Sequence, residues 1–190
     1  MTYTEIEAKL KVDSHGLIEK RLAALDAEFV AEQLQKDYFF DDDENNFAES
    51  DSCLRLRRQV SEKKEKVYLT YKGPKEKSNL KKRQEIEIEV SSAELAEKLL
   101  LAIGYARRLV IEKRRQLWHL GRCFVSLDTL PLLGNFIEIE GPDEKEIADV
   151  QKKLGLTDLP HIAKSYSSLI KDKLTATGDS RIEICLYGAE

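Results

Sequence analysis

The chain has 190 residues, of which 31 are basic, 35 are acidic and 42% are hydrophobic. This hydrophobic fraction excludes a disordered chain, and the net charge of −4 excludes the strongly basic surface of a nucleic-acid-binding platform. No apolar run is long enough to cross a bilayer, and the first residues lack the apolar core of a signal peptide. We therefore expect a cytoplasmic protein with neither a nucleic-acid nor a membrane partner.

Alternation of apolar and polar residues, which is typical of a strand with two different faces, recurs along the chain. Turn residues such as Gly73-Pro74 and Gly134-Asn135 separate the alternating segments. The basic run Lys75–Lys82 is expected to be a solvated loop. The predicted strands are Glu5–Val12, Gln35–Asp42, Ser52–Gln59, Lys66–Gly73, Arg83–Val90, Leu109–Trp118, Cys123–Leu133 and Asn135–Gly141.

Four helices fit between or after these strands, because apolar residues recur there at helical spacing. Ser91 and Glu94 predict a capping box, and Asp143 is positioned to cap a further helix. Near the end of the chain, Arg181–Tyr187 is either a short edge strand or a tail. The predicted helices are Ser14–Asp26, Ser91–Ile103, Glu144–Leu154 and Ile162–Leu174.

The polar faces of the predicted strands carry charges of like sign two residues apart. Because successive strand residues point to opposite faces, both members of such a pair lie on one face and repel each other. Folding alone gains little from these pairs, whereas a divalent cation satisfies carboxylates and a phosphate group satisfies Arg and Lys. The acidic pairs are Glu5/Glu7, Glu85/Glu87 and Glu138/Glu140, and the basic pairs are Arg55/Arg57 and Lys113/Arg115.

Two architectures remain open from these patterns. A sheet with one solvated face is common among antiparallel folds. Alternatively, closing the eight strands into a barrel hides the sheet edges and turns the charged faces into the lining of a tunnel. The apolar stripes of the helices then cover the outer face, and the basic loop either stays solvated or folds over the tunnel mouth. A polyphosphate with its metal ions fits such a lining chemically.

The ordered set of motifs resembles the CYTH domains, which are the triphosphate tunnel metalloenzymes. The resemblance opens with the E-x-E-x-K form of residues 5–9 and covers about residues 3–173. The amino-acid sequence of residues 69–74 and 132–140 is most similar to that of the class IV (CyaB-type) adenylate cyclases. The other matching segments are Asp37–Phe39, Cys53–Arg58, Arg83–Glu87, Glu112–Arg115 and Lys164–Tyr166.

The resemblance implies an α+β fold in which eight antiparallel strands form a closed β-tunnel, a CYTH-like barrel, with helices packed on its outside. It implies one CYTH domain over residues 1–173, followed by residues 174–190 as a tail or edge strand of unassigned role. It also implies a homodimer that binds ATP or another triphosphate with Mg²⁺ or Mn²⁺ as the cofactor.

Site residues follow from the same resemblance, with Arg83 added because it shares the inward parity of Glu85. The expected metal ligands are Glu138, Glu140, Glu5, Glu7, Glu85, Glu87 and Asp128. The residues expected to hold the triphosphate are Lys9, Arg55, Arg57, Lys72, Arg83, Lys113 and Arg115. The expected catalytic residues are Glu5, Glu7, Lys9 and Lys72.

Three functions remain open. A class IV-type adenylate cyclase converts ATP to cyclic AMP and pyrophosphate when the ribose 3′-hydroxyl attacks the α-phosphorus. The same site acts as a triphosphatase if water attacks the terminal phosphorus of tripolyphosphate, thiamine triphosphate or a nucleotide. The third function is a non-catalytic polyphosphate-binding module, and the complete set of carboxylates argues against it. The motifs do not show which phosphorus faces the nucleophile.

Overall fold

A computed structural model describes residues 1–62 and 64–186. The strands are β1 (Thr2–Val12), β2 (Glu28–Asp41), β3 (Cys53–Ser61), β4 (Lys64–Lys72), β5 (Lys81–Val90), β6 (Ala106–Leu120), β7 (Cys123–Leu130), β8 (Gly134–Glu140) and β9 (Glu183–Ile184). The helices are α1 (Gly16–Ala24), α2 (Asn46–Glu49), α3 (Ala93–Ala102), α4 (Glu144–Lys153) and α5 (Tyr166–Thr177).

The strands form one sheet in the order β2-β3-β4-β5-β1-β8-β7-β6, and pairing of β2 with β6 closes it. All pairs within this ring are antiparallel. The short strand β9 pairs parallel with Val110 and Ile111, on the edge of β6 that β7 leaves free. The structure therefore confirms the predicted eight-stranded closed barrel with helices outside it.

The outer face of the barrel is apolar, and the helices cover it. α1 and α4 pack on one side, where Leu10 and Ile137 are fully buried, and α3 packs on the other side, over Leu56 and Val110. Burial of each such side chain contributes roughly 1.5–3 kcal/mol to the free energy of unfolding. The alternation along the strands thus puts the apolar residues under the helices and directs the charged residues into the barrel.

Helix α5 lies across one end of the barrel. Its Ile170 and Leu174 pack against Leu109, Ile111 and Phe136, three apolar residues that belong to the inner faces of their strands. Inner-facing residues are therefore apolar beneath this helix and charged farther along the barrel. The N-terminal turn of α5 points its first side chains at the charged interior.

Several predicted boundaries are wrong. β2 begins at Glu28 rather than residue 35, because its first half is held by pairing with β6 and not by a clear alternation of its own. α5 begins at Tyr166 rather than residue 162, since the amide of Ile162 donates to the carbonyl of Lys9 and keeps that segment extended. β9 lies within the predicted edge strand 181–187, of which residue 187 is outside the described part of the chain.

Candidate active site

A cavity of about 490 Å³ occupies the inside of the barrel. Its wall is formed by the inner faces of the barrel strands together with the first turns of α5. Of the predicted site residues, only Asp128 is absent from this wall. The predicted residues that line the cavity are Glu5, Glu7, Lys9, Arg55, Arg57, Lys72, Arg83, Glu85, Glu87, Lys113, Arg115, Glu138 and Glu140.

Two lysines neutralise most of the acidic part of the cavity. Lys81 Nζ lies 2.6 Å from Glu7 Oε1 and 3.4 Å from Glu5 Oε2. Lys72 Nζ lies 3.3 Å from the other oxygen of Glu5 and also contacts Glu85. Burial alone would raise the pKa of Glu5, but these two ammonium groups hold it well below its usual range. The charged form of Glu5 is therefore stabilised, and Glu7 and Glu85 are ion-paired with the same two lysines.

Glu140 is the exception in this group. No hydrogen bond or ion pair to its carboxylate is found within residues 1–62 and 64–186. Burial and the neighbouring carboxylates of Glu5 and Glu7 raise the pKa of Glu140 to about 7. A carboxyl group in this position is stabilised in its charged form by any added cation.

The donor set fits a hard divalent cation, because Glu5, Glu7, Glu85 and Glu140 offer only carboxylate oxygens. As the side chains stand, no three His, Cys, Asp or Glu groups within the described residues converge on one point. Lys72 and Lys81 occupy oxygens of Glu5, Glu7 and Glu85 with ion pairs. For these carboxylates to bind a metal ion, the ammonium groups of Lys72 and Lys81 must move away from them.

Lys9 and Glu138 connect the acidic part of the cavity with its basic part. Lys9 is 1% exposed, and its Nζ lies 3.2 Å from Glu138 Oε1 and 3.5 Å from Glu7 Oε1. The second oxygen of Glu138 accepts a hydrogen bond of 2.5 Å from Arg115. Burial would raise the pKa of Glu138, but Lys9 and Arg115 hold it well below its usual range.

Asp128 was predicted to help hold metal, and the structure gives it a different environment. It is fully buried, accepts two hydrogen bonds from Arg115 at 2.7 and 2.6 Å, and accepts one from Lys113 at 3.0 Å. Both oxygens are thus occupied behind the wall of the cavity. Burial and the nearby Arg115 lower the pKa of Lys113 to about 8.

Asp37 is a site residue that the sequence interpretation missed. Its two oxygens accept hydrogen bonds from Arg57 at 2.6 and 2.7 Å, in the bidentate arrangement that fixes a guanidinium group. Asp37 lines the cavity and pairs directly with Arg57 in the β2–β3 register. The available signal was an acidic residue within the short motif 37–39.

Lys81 was also missed, because Lys75–Lys82 was predicted to be a loop. The structure starts β5 at Lys81, which lines the cavity opposite Glu7. The signal was present in the sequence, since Lys81 has the same parity as Arg83 and Glu85.

Buried hydrogen-bond donors without an acceptor are concentrated on the cavity wall. Among the described residues, the Nε atoms of Arg55, Arg83 and Arg108 and the hydroxyl of Tyr166 are buried and have no partner. All four side chains line the cavity. Leaving a buried donor unpaired costs about 1–3 kcal/mol, and three of these four side chains are arginines, which bring positive charge to the cavity wall.

Known proteins share this sequence and architecture. The family model described as CYTH domain matches residues 3–166. MJ0240 of Methanocaldococcus jannaschii, whose name provisionally assigns it as an adenylate cyclase, is 30% identical over 149 residues, which are 78% of this chain and 81% of that protein. Adenylate cyclase CyaB of Aeromonas hydrophila is 28% identical over 185 residues, or 92% of this chain and 93% of that protein.

Solved structures agree with this relationship. PH1819 of Pyrococcus horikoshii superposes with a TM-score of 0.77 at 28% identity, covering 89% of this chain and 99% of that one. HpAC1 of Hippeastrum, for which a dominant triphosphatase activity is described, has the same fold, with a TM-score of 0.67 at 17% identity and coverages of 88% and 95%. The match of the family model over most of the length establishes that this chain belongs to the CYTH domain family.

Proposed function

We propose that the protein is a divalent-metal-dependent enzyme that binds ATP inside its barrel and converts it to cyclic AMP and pyrophosphate. The observation that carries the proposal is the group of buried Lys and Arg side chains on the cavity wall, Lys9, Arg55, Arg83 and Lys113, which is suited to phosphate oxygens. The full-length similarity to adenylate cyclase CyaB supports the choice of cyclase.

The basic residues hold the triphosphate in this proposal. Arg55 and Arg83 present guanidinium groups to phosphate oxygens, while Lys9 and Lys113 act as point charges. Arg115, whose Nε and Nη2 are held by Asp128 and Glu138, adds positive charge beside them. Arg55 is oriented by a 3.2 Å hydrogen bond to Thr70 and an ion pair of 3.7 Å with Glu87. Preorganised cations of this kind stabilise the negative charge that moves onto the pyrophosphate oxygens in the transition state.

The carboxylates of Glu5, Glu7, Glu85 and Glu140 would hold Mg²⁺ or Mn²⁺. When bound, such a cation neutralises phosphate oxygens and makes a coordinated hydroxyl more acidic. Asp128 is reassigned from metal ligand to positioning residue, because its oxygens fix the side chains of Arg115 and Lys113. Glu5, Glu7, Lys9 and Lys72 stay the proposed catalytic residues; Lys9 Nζ lies 3.2 Å from Glu138 and Lys72 Nζ lies 3.3 Å from Glu5.

The cyclisation forms one bond and breaks one bond. The ribose 3′-oxygen bonds to the α-phosphorus, the bond from that phosphorus to the bridging oxygen of the pyrophosphate breaks, and the hydroxyl proton leaves to solvent. This chain's contribution is to fix the triphosphate against the wall of the cavity.

A triphosphatase is the second candidate, because hydrolysis of the terminal phosphorus requires the same cations and the same carboxylates. HpAC1 has the same fold, and the dominant triphosphatase activity described for it supports keeping the triphosphatase as a candidate function. The homodimer and the cytoplasmic location also stay predictions, and no helix within the described residues is long and apolar enough to span a membrane.

Product analysis tests the proposal. The purified protein is incubated with ATP, tripolyphosphate or thiamine triphosphate in the presence of Mg²⁺ or Mn²⁺, and the products are resolved by chromatography. Cyclic AMP with an equal amount of pyrophosphate is the expected result. Orthophosphate without cyclic AMP would show that the protein acts as a triphosphatase and not as a cyclase. The absence of any product from all three compounds would contradict both activities.

A further inference from the structure

A row of three inward-facing side chains crosses β3, β4 and β5. Arg55 of β3 pairs directly with Thr70 of β4, and Thr70 pairs directly with Glu87 of β5. Residues directly opposite each other on neighbouring strands have their side chains on the same face of the sheet. Arg55 and Glu87 line the cavity, whereas Thr70 lies between them and is 0% exposed. The register of the three strands therefore places a buried hydroxyl between a cation and a carboxylate of the cavity wall.

Two hydrogen bonds connect this row in a single direction. A carboxylate only accepts hydrogen bonds, and a guanidinium group only donates them. Thr70 Oγ1 therefore donates its one proton to Glu87 Oε2, at 2.8 Å, and accepts from Arg55 Nη2, at 3.2 Å. Hydrogen bonds linked in this way strengthen one another, so the negative charge of Glu87 makes the hydroxyl of Thr70 a better acceptor for Arg55.

Thr70 also keeps Arg55 from a close ion pair. Nη2 of Arg55 lies 3.7 Å from Glu87 Oε2, and Nη1 lies 3.9 Å from Asp37 Oδ2. Both distances exceed the roughly 2.7–2.9 Å of a hydrogen bond between oppositely charged groups. Arg57 differs, because Asp37 holds it through two such hydrogen bonds at 2.6 and 2.7 Å. Arg55 is thus oriented by a neutral oxygen, and its positive charge stays available to a ligand in the cavity.

Glu87 has different partners from the carboxylates proposed to hold the metal ion. Glu85 and the carboxylates of β1 are ion-paired with Lys72 or Lys81. Within the described part of the chain, the contacts of the Glu87 carboxylate are instead with Thr70 and Arg55. Glu87 was expected to hold metal because it forms a like-charged pair with Glu85. Its contacts connect it to a cation that is suited to phosphate.

We propose that Glu87 is a positioning residue for Arg55, which acts through the hydroxyl of Thr70, and not a ligand of the metal ion. Thr70 is the second positioning residue of the row. This inference rests on the proposed function, because Arg55 must bind the triphosphate. It adds two residues that determine how tightly the phosphate groups are held, and it applies to a cyclase and to a triphosphatase alike.

A double-mutant cycle tests the inference. Calorimetry in Mn²⁺ gives the dissociation constant of bis-methylene tripolyphosphate, in which carbon replaces both bridging oxygens so that the compound does not turn over. Thr70→Val removes the hydroxyl at nearly constant volume, and Thr70→Ser keeps it. Each is measured alone and combined with Glu87→Gln or with the matched control Glu89→Gln. Glu89 is the next residue of the same parity on β5 and pairs with exposed Lys66 at 3.7 Å.

We expect Thr70→Val to weaken binding of the analogue roughly three- to tenfold in the wild type and in Glu89→Gln, because Arg55 loses its hydrogen bond. In Glu87→Gln the same change is expected to weaken binding less than about twofold, since an amide no longer fixes the direction of the hydroxyl. Thr70→Ser should bind as the wild type does. Electron paramagnetic resonance without the analogue should give Glu87→Gln an Mn²⁺ affinity within about twofold of the wild type, because Glu87 is no ligand.

Each other outcome overturns the inference in a distinguishable way. An equal effect of Thr70→Val with and without the Glu87 carboxylate shows that Glu87 does not act through Thr70. Loss of Mn²⁺ binding in Glu87→Gln identifies Glu87 as a metal ligand. Unchanged binding in Thr70→Val, or equal weakening in Thr70→Ser, shows that the hydroxyl does not position Arg55. A wild-type protein that binds Mn²⁺ but not the analogue contradicts the proposed function itself.

Discussion

Ion pairs between individual side chains balance the charges inside this cavity before a ligand enters. Lys81 contacts Glu5 and Glu7 at 3.4 and 2.6 Å, and Lys72 contacts Glu5 and Glu85. These ammonium groups supply part of the positive charge that a divalent cation would bring to the same oxygens. The affinity of the site for metal is therefore a competition between a bound cation and the protein's own lysines.

Replacing Lys81 tests this competition. We expect Lys81→Gln to bind Mn²⁺ at least about tenfold more tightly, because repulsion between an ammonium group and the incoming cation is removed at short distance. Free Mn²⁺ is measured by electron paramagnetic resonance. Lys82→Gln is the matched control, since Lys82 is the next residue and pairs with Glu76 at 2.8 Å. Unchanged or weaker Mn²⁺ binding in Lys81→Gln would contradict the competition.

Glu140 predicts a specific pH dependence of stability. Its pKa is raised from 4.5 to about 7, so between these values the folded protein keeps a proton that the unfolded chain has released. The contribution of Glu140 to stability is therefore fully present below pH 4.5 and is lost as the pH rises through 7. The total change is at most about 3 kcal/mol.

Urea unfolding in EDTA at pH 5 and pH 8 measures this contribution. The free energy of unfolding of the wild type, relative to Glu140→Gln, is expected to fall between the two pH values, by up to about 3 kcal/mol. Glu140→Gln serves as the reference for the wild type because its side chain has no proton to release. The same pH dependence in both proteins would show that Glu140 titrates normally.

At the scale of elements, strands with strict alternation were predictable and interrupted ones were not. The parity of β1, β3 and β8 places Glu5, Arg55 and Glu138 correctly on the cavity wall. The start of β2 and a β-bulge of β6 at Arg108 depend on pairing between distant segments, which a single sequence does not display. For the same reason Asp37 was recognised as part of a motif but not as the partner of Arg57.

Helix α5 carries Tyr166 into the site, and this placement gives a further prediction. Lys9 Nζ and Lys113 Nζ lie 4.3 and 4.9 Å from the centre of the Tyr166 ring, and the buried hydroxyl has no partner among the described residues. We expect Tyr166→Phe to weaken binding of bis-methylene tripolyphosphate roughly three- to tenfold, because one hydrogen bond is lost.

The phenylalanine ring keeps the contact with Phe136 and with the two lysines. Thermal unfolding of Tyr166→Phe is therefore expected to occur at the wild-type temperature or slightly above it, since an unsatisfied hydroxyl is removed. A lower unfolding temperature with unchanged binding would assign the hydroxyl a structural role instead.

For the whole molecule, closure of the sheet brings the acidic and basic side chains of different strands together inside the barrel. Lysines and arginines are paired with carboxylates around the cavity, and the apolar side chains of Phe39, Phe40 and Phe47 line it as well. The overall fold and most of the wall follow from parity and motif order, both readable in the sequence. Which carboxylates pair with which lysines depends on side-chain reach inside the closed barrel, and only the structure shows it.

The central claim is that buried cations inside the barrel bind a triphosphate, and Arg83 tests it most directly. Arg83 is 3% exposed, its Nε has no partner among the described residues, and Asp51, at 3.9 Å, is its only ion pair there. Arg58 is the matched control, because it is largely exposed and pairs with Glu65 on the surface.

The decisive measurement is calorimetric binding of bis-methylene tripolyphosphate in Mn²⁺ to the wild type, Arg83→Gln and Arg58→Gln. The account predicts one site per chain in the wild type, binding at least about tenfold weaker in Arg83→Gln, and wild-type affinity in Arg58→Gln. Equal affinity in all three proteins would contradict it.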